Sequence, residues 1–177
     1  MNIDAPIDRL KAAVRDVPDF PKPGILFKDI TPVLRDADLF RRAMDLLAVC
    51  SDDLRVDKVV AIESRGFILG GALALRLGAG FVPVRKPGKL PWKARSASYA
   101  LEYGTDTLEM HEDAVSPADR VLVVDDVIAT GGTARAAGEL VEALGARVAA
   151  YLFLVELAFL GGRAKLPGCD VRSLIRY

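Results

Sequence analysis

Val121-Leu122-Val123-Val124 is an unbroken aliphatic run that ends on two adjacent acids, Asp125 and Asp126, and then on a turn of small residues, Ala129-Thr130-Gly131-Gly132-Thr133. Four apolar residues with no polar alternation fit a strand covered on both faces rather than one with a wet side. Beyond the turn, Ala137, Leu140, Val141 and Leu144 recur at helical spacing, and Gly145 supplies the stop, which predicts a helix from Thr133 to Leu144. Strand, small turn and helix in this order constrain the chain to a layered α/β architecture.

The same grammar recurs along the chain. Lys58 to Ile62 is an apolar run closed by Glu63-Ser64-Arg65-Gly66, and Phe67 to Leu77 resumes helical spacing up to Gly78. Phe81 to Val84, Arg147 to Val155 and Val171 to Ile175 read as further strands. Asp38 is expected to cap a helix running to Val49, and Ile7 to Val14 to form a short amphipathic helix ended by Pro18. The result is a mainly parallel sheet with helices on both faces. Between the first two helices, Pro18-Asp19-Phe20-Pro21-Lys22-Pro23-Gly24 excludes helix, and Ile25-Leu26-Phe27 resumes as extended chain. Arg85 to Ser98 shows no period and is expected to be a long loop, with Tyr99 to Tyr103 and Thr107 to His111 as hairpin arms turning at Gly104 and Asp106.

The 177 residues suit a single domain with a core that needs no disulfide or structural metal. Lys and Arg number 24 and Asp and Glu also 24, so 24 − 24 leaves no net charge to draw the chain to nucleic acid or anionic lipid, and phosphate recognition has to be local. Cys50 and Cys169 stand apart with no clustered His, which fits incidental thiols in a reducing compartment. Met1 to Pro6 has neither a basic start nor an apolar centre and does not read as a secretory leader, and Phe67 to Val84 is too interrupted to span a membrane.

The chemistry sits at Asp125 to Thr133. Ligands of open parallel sheets bind beyond the carboxyl ends of the strands. Small residues at 129–133 let backbone amides and a helix N-terminus converge on an anion, while two carboxylates beside them accept hydroxyls. A phosphorylated ribose offers both groups. A plain strand-to-helix turn is the competing interpretation for an isolated Thr-Gly-Gly-Thr. No Lys follows the glycines, which disfavours a Walker-type loop, and Gly78-Ala79-Gly80 lies in the wrong context for a dinucleotide fingerprint. His111-Glu112-Asp113, with one His, is weak as a metal set.

Val123 to Thr133 resembles the phosphoribosyl diphosphate (PRPP) motif of type I phosphoribosyltransferases. Pro18 to Ile30, Glu63-Ser64-Arg65-Gly66-Phe67, and Arg85 to Pro91 with Tyr99 to Gly104 are similar to the adenine phosphoribosyltransferases in particular. The resemblance covers nearly the whole chain. It implies the type I fold, with a hood at 1–35 and a flexible hairpin loop at 85–104, and transfer of the phosphoribosyl group from PRPP to adenine, giving AMP and pyrophosphate. Asp125 and Asp126 are implied to hold the ribose hydroxyls and Ala129, Thr130, Gly131, Gly132 and Thr133 the 5-phosphate. Ser64, Arg65, Arg85, Lys86 and Lys89 are implied to meet pyrophosphate, with a cis bond between Glu63 and Ser64. Leu26, Phe27, Lys28 and Tyr103 are implied at adenine, and Glu102 with Arg65 in catalysis. Mg²⁺ is implied, held mainly by PRPP and water rather than by protein ligands, as are a homodimer and a cytoplasmic location. A PRPP sensor without chemistry is a second reading, though no DNA-reading segment accompanies it.

Overall fold

In the computed structural model, which describes residues 4–100 and 105–177, five strands form one parallel sheet in the order β4-β3-β7-β8-β9. They are β3 (Lys58–Ile62), β4 (Gly80–Val84), β7 (Arg120–Ile128), β8 (Arg147–Glu156) and β9 (Val171–Arg176). Their apolar side chains feed two cores. Leu122, Val124 and Leu152 pack with α3 (Ala37–Val49) and α4 (Arg65–Leu77), whereas Val121, Val123 and Phe153 pack with α5 (Gly132–Ala143) and the hairpin. Burial on both faces is the physical reason β7 and β8 carry aliphatic runs instead of alternation.

Two small antiparallel pairs flank this sheet. β1 (Arg15–Pro18) pairs with β2 (Leu26–Asp29), after α1 (Asp4–Ala13) and before the short α2 (Thr31–Arg35). β5 (Ala94–Ala100) pairs with β6 (Thr105–His111). Two short 3₁₀ turns, Ala158–Leu160 and Gly162–Lys165, join β8 to β9. Among the described residues no helix is long and apolar enough to cross a membrane. Cys50 is half-buried and Cys169 exposed, both as free thiols.

Several expectations shift. The cap of α3 is Asp36, not Asp38: its Oδ1 accepts from the amides of Asp38 and Leu39, both at 3.0 Å, and Asp38 instead pairs with Arg41. The stretch expected to be structureless up to Ser98 is already β5 from Ala94, and Arg85 exchanges two backbone bonds with Glu109. Asp106 is not a turn residue; it lies in β6 opposite Tyr99. Most consequentially, β7 runs on to Ile128 because β8 stays paired with it as far as Glu156, so Asp125 and Asp126 belong to the strand rather than to the turn after it. The Glu63–Ser64 peptide is cis as expected, and Phe20–Pro21 is cis as well.

Candidate active site

A cavity of about 330 Å³ opens where β3 and β7 end and α4 and α5 begin. The helix starts explain its character. Remote from the cavity, α3 has its first amides satisfied by the Asp36 carboxylate, whereas α4 and α5 have no side-chain hydrogen bond at their N-caps, Ser64 and Gly131. Helix N-termini lacking such caps direct amide hydrogens and partial positive charge outward, and two of them here face one space. Gly131 has φ +79°, a conformation that side chains rarely tolerate, and it turns the chain from β7 into α5.

Of the residues expected at the sugar phosphate, Asp125, Asp126, Ala129, Thr130, Gly131 and Thr133 line this cavity. Gly132 does not line it; it is buried as the first residue of α5. The two acids differ. Asp126 is only 4% exposed and receives Nε of Arg65 at 2.5 Å. Oδ1 of Asp125 accepts the Asp126 amide at 2.9 Å and lies so close to α4 that a Cβ on Gly66 would meet it at 2.8 Å. Burial, and then the neighbouring Asp126 carboxylate, push the Asp125 carboxyl well above its ordinary range, with Arg65 opposing the shift.

Ser64, Arg65 and Lys86 of the expected pyrophosphate set also line the cavity, but Arg85 and Lys89 do not. Arg85 is turned onto Glu63 through two bonds of 3.2 Å and donates to the Lys89 carbonyl at 3.1 Å. Lys89 is exposed. That fork, together with the Lys86 amide at 3.1 Å, keeps the Glu63 carboxyl below its usual range. Two further residues of the cavity lining are not signalled by any motif. They are Tyr99 and Asp106, with the Tyr99 hydroxyl 3.2 Å from Asp106 and Lys86 Nζ 3.1 Å from the same carboxylate. Their facing register in the hairpin brings them together, and alternation in β5 could have revealed it had Ala97 and Ser98 been larger.

A second cavity of about 270 Å³ lies beside the first, lined by Val17, Phe20, Phe27, Asp29 and Arg65. The proline-rich turn shapes it: Gly24, at φ +86°, donates to Asp19 Oδ1 at 2.7 Å, and Phe20 bonds back to Ile25, folding Phe20 edge-on against Phe27 at 5.1 Å. Of the residues expected around adenine, Phe27 lines this cavity but Leu26 and Lys28 do not. The Lys28 ammonium is taken up by Asp16 at 2.5 Å and by the Tyr177 ring at 4.0 Å. Glu102 and Tyr103 lie outside the described residues. Burial would raise the Asp29 carboxyl, but bonds from the Thr31 amide and hydroxyl and the charges of Arg15 and Arg65 hold it below its usual range. Arg65 belongs to both cavities, its guanidinium 5.5 Å from the Phe27 ring and bonded to Asp126.

The family model described as Phosphoribosyl transferase domain matches residues 32–163, a span that contains the carboxylate pair and both helix starts of the main cavity, so the chain is a phosphoribosyltransferase-family protein. The chain is 59% identical over 168 residues to the adenine phosphoribosyltransferase of Carboxydothermus hydrogenoformans, covering 95% of this chain and 99% of that one. The crystal structure of the Thermoanaerobacter pseudethanolicus enzyme superposes with a TM-score of 0.95 at 54% identity, covering 97% of this chain and 99% of the other. The Saccharomyces cerevisiae enzyme, in a complex with an imino-altritol bisphosphate and adenine, gives 0.91 at 46% identity, with 97% and 99% covered. The chain belongs to the adenine phosphoribosyltransferase family.

Proposed function

We propose that the protein joins N9 of adenine to C1 of the ribose of PRPP: the bond from C1 to the pyrophosphate oxygen breaks, the N9 proton is lost, and AMP and pyrophosphate leave. The observation that carries this reading is the placement of Arg65, which touches both the carboxylate pair that suits ribose hydroxyls and the aromatic slot that suits a purine. In this reading Asp125 and Asp126 accept the ribose hydroxyls once Arg65 exchanges Asp126 for the diphosphate. Amides at 129–133 receive the 5-phosphate, each hydrogen bond to a charged group contributing about 1.5–3 kcal/mol. Ser64, Lys86 and, after release from Glu63, Arg85 take pyrophosphate, with Lys89 nearby. Phe27 faces the base, with Leu26, Lys28 and Tyr103 around it. Glu102 assists proton loss at N9, and the 85–104 segment closes over the reacting carbon and keeps water out.

Mg²⁺ fits the donor chemistry. Asp125 and Asp126 line the cavity proposed for PRPP, so an ion held mainly by the phosphates and water would face carboxylate oxygens, the ligand chemistry Mg²⁺ prefers. Bound there it would neutralise charge on the departing diphosphate. A homodimer and a cytoplasmic location complete the reading, on the strength of the family.

The test offers PRPP, Mg²⁺ and each of adenine, guanine and xanthine to purified protein while product nucleotide is measured. AMP formed from adenine alone is expected. Consumption of guanine or xanthine in preference to adenine refutes the substrate, and tight PRPP binding with no turnover of any base refutes catalysis.

A further inference from the structure

Among the described residues two carboxylates are almost completely buried, and only Asp126 belongs to the cavity; the other is Glu156, 3% exposed at the end of β8. Glu156 accepts a two-pronged bond from Arg163, Nε to Oε1 and Nη2 to Oε2, each at 2.7 Å, and a further bond from the Ser173 hydroxyl. Arg163 also donates to the Val171 carbonyl and to Ser173. The Arg163 side chain is 42% exposed, so the pair is open on one side, and the modest energy of such a half-open pair does not by itself account for one here.

What the pair fixes is a backbone position. Arg163 follows Gly162, and Gly162 lies back to back with the turn of the main cavity. A Cβ on Gly131 would meet the Gly162 carbonyl oxygen at 2.3 Å, and a Cβ on Gly162 would meet the Ala129 carbonyl oxygen at 2.3 Å and the Gly131 nitrogen at 3.1 Å. The Leu157 amide also bonds the Ile128 carbonyl at 2.9 Å, so both ends of the 129–131 turn are referenced to the segment after β8.

We propose that Glu156 and Arg163 are positioning residues that hold Gly162 against the 129–131 turn and so set its amides for the 5-phosphate of PRPP and AMP. This rests on the reading of the turn as a 5-phosphate site. PRPP and AMP share that phosphate, while adenine lacks it, so the role has a distinctive signature.

Calorimetric titration of PRPP and of AMP into Glu156→Gln, Gly162→Ala and the milder Ser173→Ala, beside the parent, is the test, with thermal unfolding and turnover measured on the same samples. For Glu156→Gln and Gly162→Ala, Kd for PRPP and AMP is expected to rise together by about 10- to 100-fold, as a displaced binding group requires. Ser173→Ala should shift both by less, with kcat and KM for adenine at saturating PRPP staying within about twofold of the parent. Should Glu156→Gln fail to fold, Gly162→Ala and Ser173→Ala carry the measurement. Parent-like affinity for both ligands in the folded variants overturns the positioning role, as does an equal loss in adenine KM or kcat, which marks general damage. A parent that binds neither PRPP nor AMP overturns the 5-phosphate reading itself.

Discussion

Arg65→Met removes the cation that Asp126 faces while keeping much of the side-chain volume. Asp126 is 6% exposed in its side chain and Arg65 39%, so the pair is sealed on one side only. Breaking a fully buried pair costs about 3–5 kcal/mol, exposed pairs contribute at most about 1 kcal/mol, and the half-open geometry places this one near 2–3 kcal/mol. In a chain of this length each kcal/mol moves Tm by about 2–4 °C, so a fall of about 5–10 °C is expected near neutral pH.

The pH dependence makes the prediction specific. Asp125 is held above the ordinary 3.8 by burial and by Asp126, and Arg65 opposes that shift. Its folded form therefore binds a proton more tightly than its unfolded form, so its contribution to stability falls as pH rises from about 3.8 through the folded value. Losing Arg65 raises the folded value further. The Tm deficit of Arg65→Met should widen as pH rises and narrow as pH falls, because without Arg65 the charged Asp125 carboxylate loses the cation that opposes its upward shift. Scanning calorimetry of both proteins across the pH range in which both stay folded decides: a deficit that does not change with pH, or none at the alkaline end, refutes the electrostatic argument.

Phe27→Leu deletes the edge-on contact with Phe20 at 5.1 Å and the face presented to Arg65 at 5.5 Å. In the proposed reading the ring also faces adenine, a stack worth about 1–3 kcal/mol of which Leu keeps part, so steady-state kinetics should show KM for adenine up by about five- to thirtyfold with KM for PRPP within about twofold. Gly138 packs against Tyr151 so closely that a Cβ would meet the hydroxyl oxygen at 1.8 Å. Gly138→Ala should therefore destabilise by about 1–3 kcal/mol in urea melts, and Tyr151→Phe in the same chain should recover at least half of that. Simple additivity of the two would show that the hydroxyl is not the obstacle.

Local chemistry was readable where one short segment holds it. Val121 to Val124 had to be a doubly covered strand, Gly78 at φ +64° ends α4 where the apolar spacing stops, and the small turn at 129–133 advertises close backbone approach. β1 has no sequence signature because Arg15-Asp16-Val17-Pro18 lacks an apolar face; its pairing with β2 holds it, and Pro18 sits at its end, where a missing donor costs least. The start of β5 was hidden in the same way, since Ala94, Ser96 and Ala97 give no contrast between faces.

What stayed illegible depends on contacts between segments far apart in the chain. Asp125 and Asp126 look like residues beyond a strand until β8 is seen to extend the pairing to Glu156, and only that register sets one acid against Gly66 and the other against Arg65. Glu156 reads as an acid that ends an apolar strand, and Arg163 as a surface cation in a glycine turn. The two are only seven residues apart, yet the glycine-containing turn between them has no spacing that marks a pair, and that Gly162 presses on Gly131 is a contact 31 residues apart. The proposed brace fits a general requirement: a turn made of small residues cannot brace itself, so its rigidity has to come from the backbone behind it.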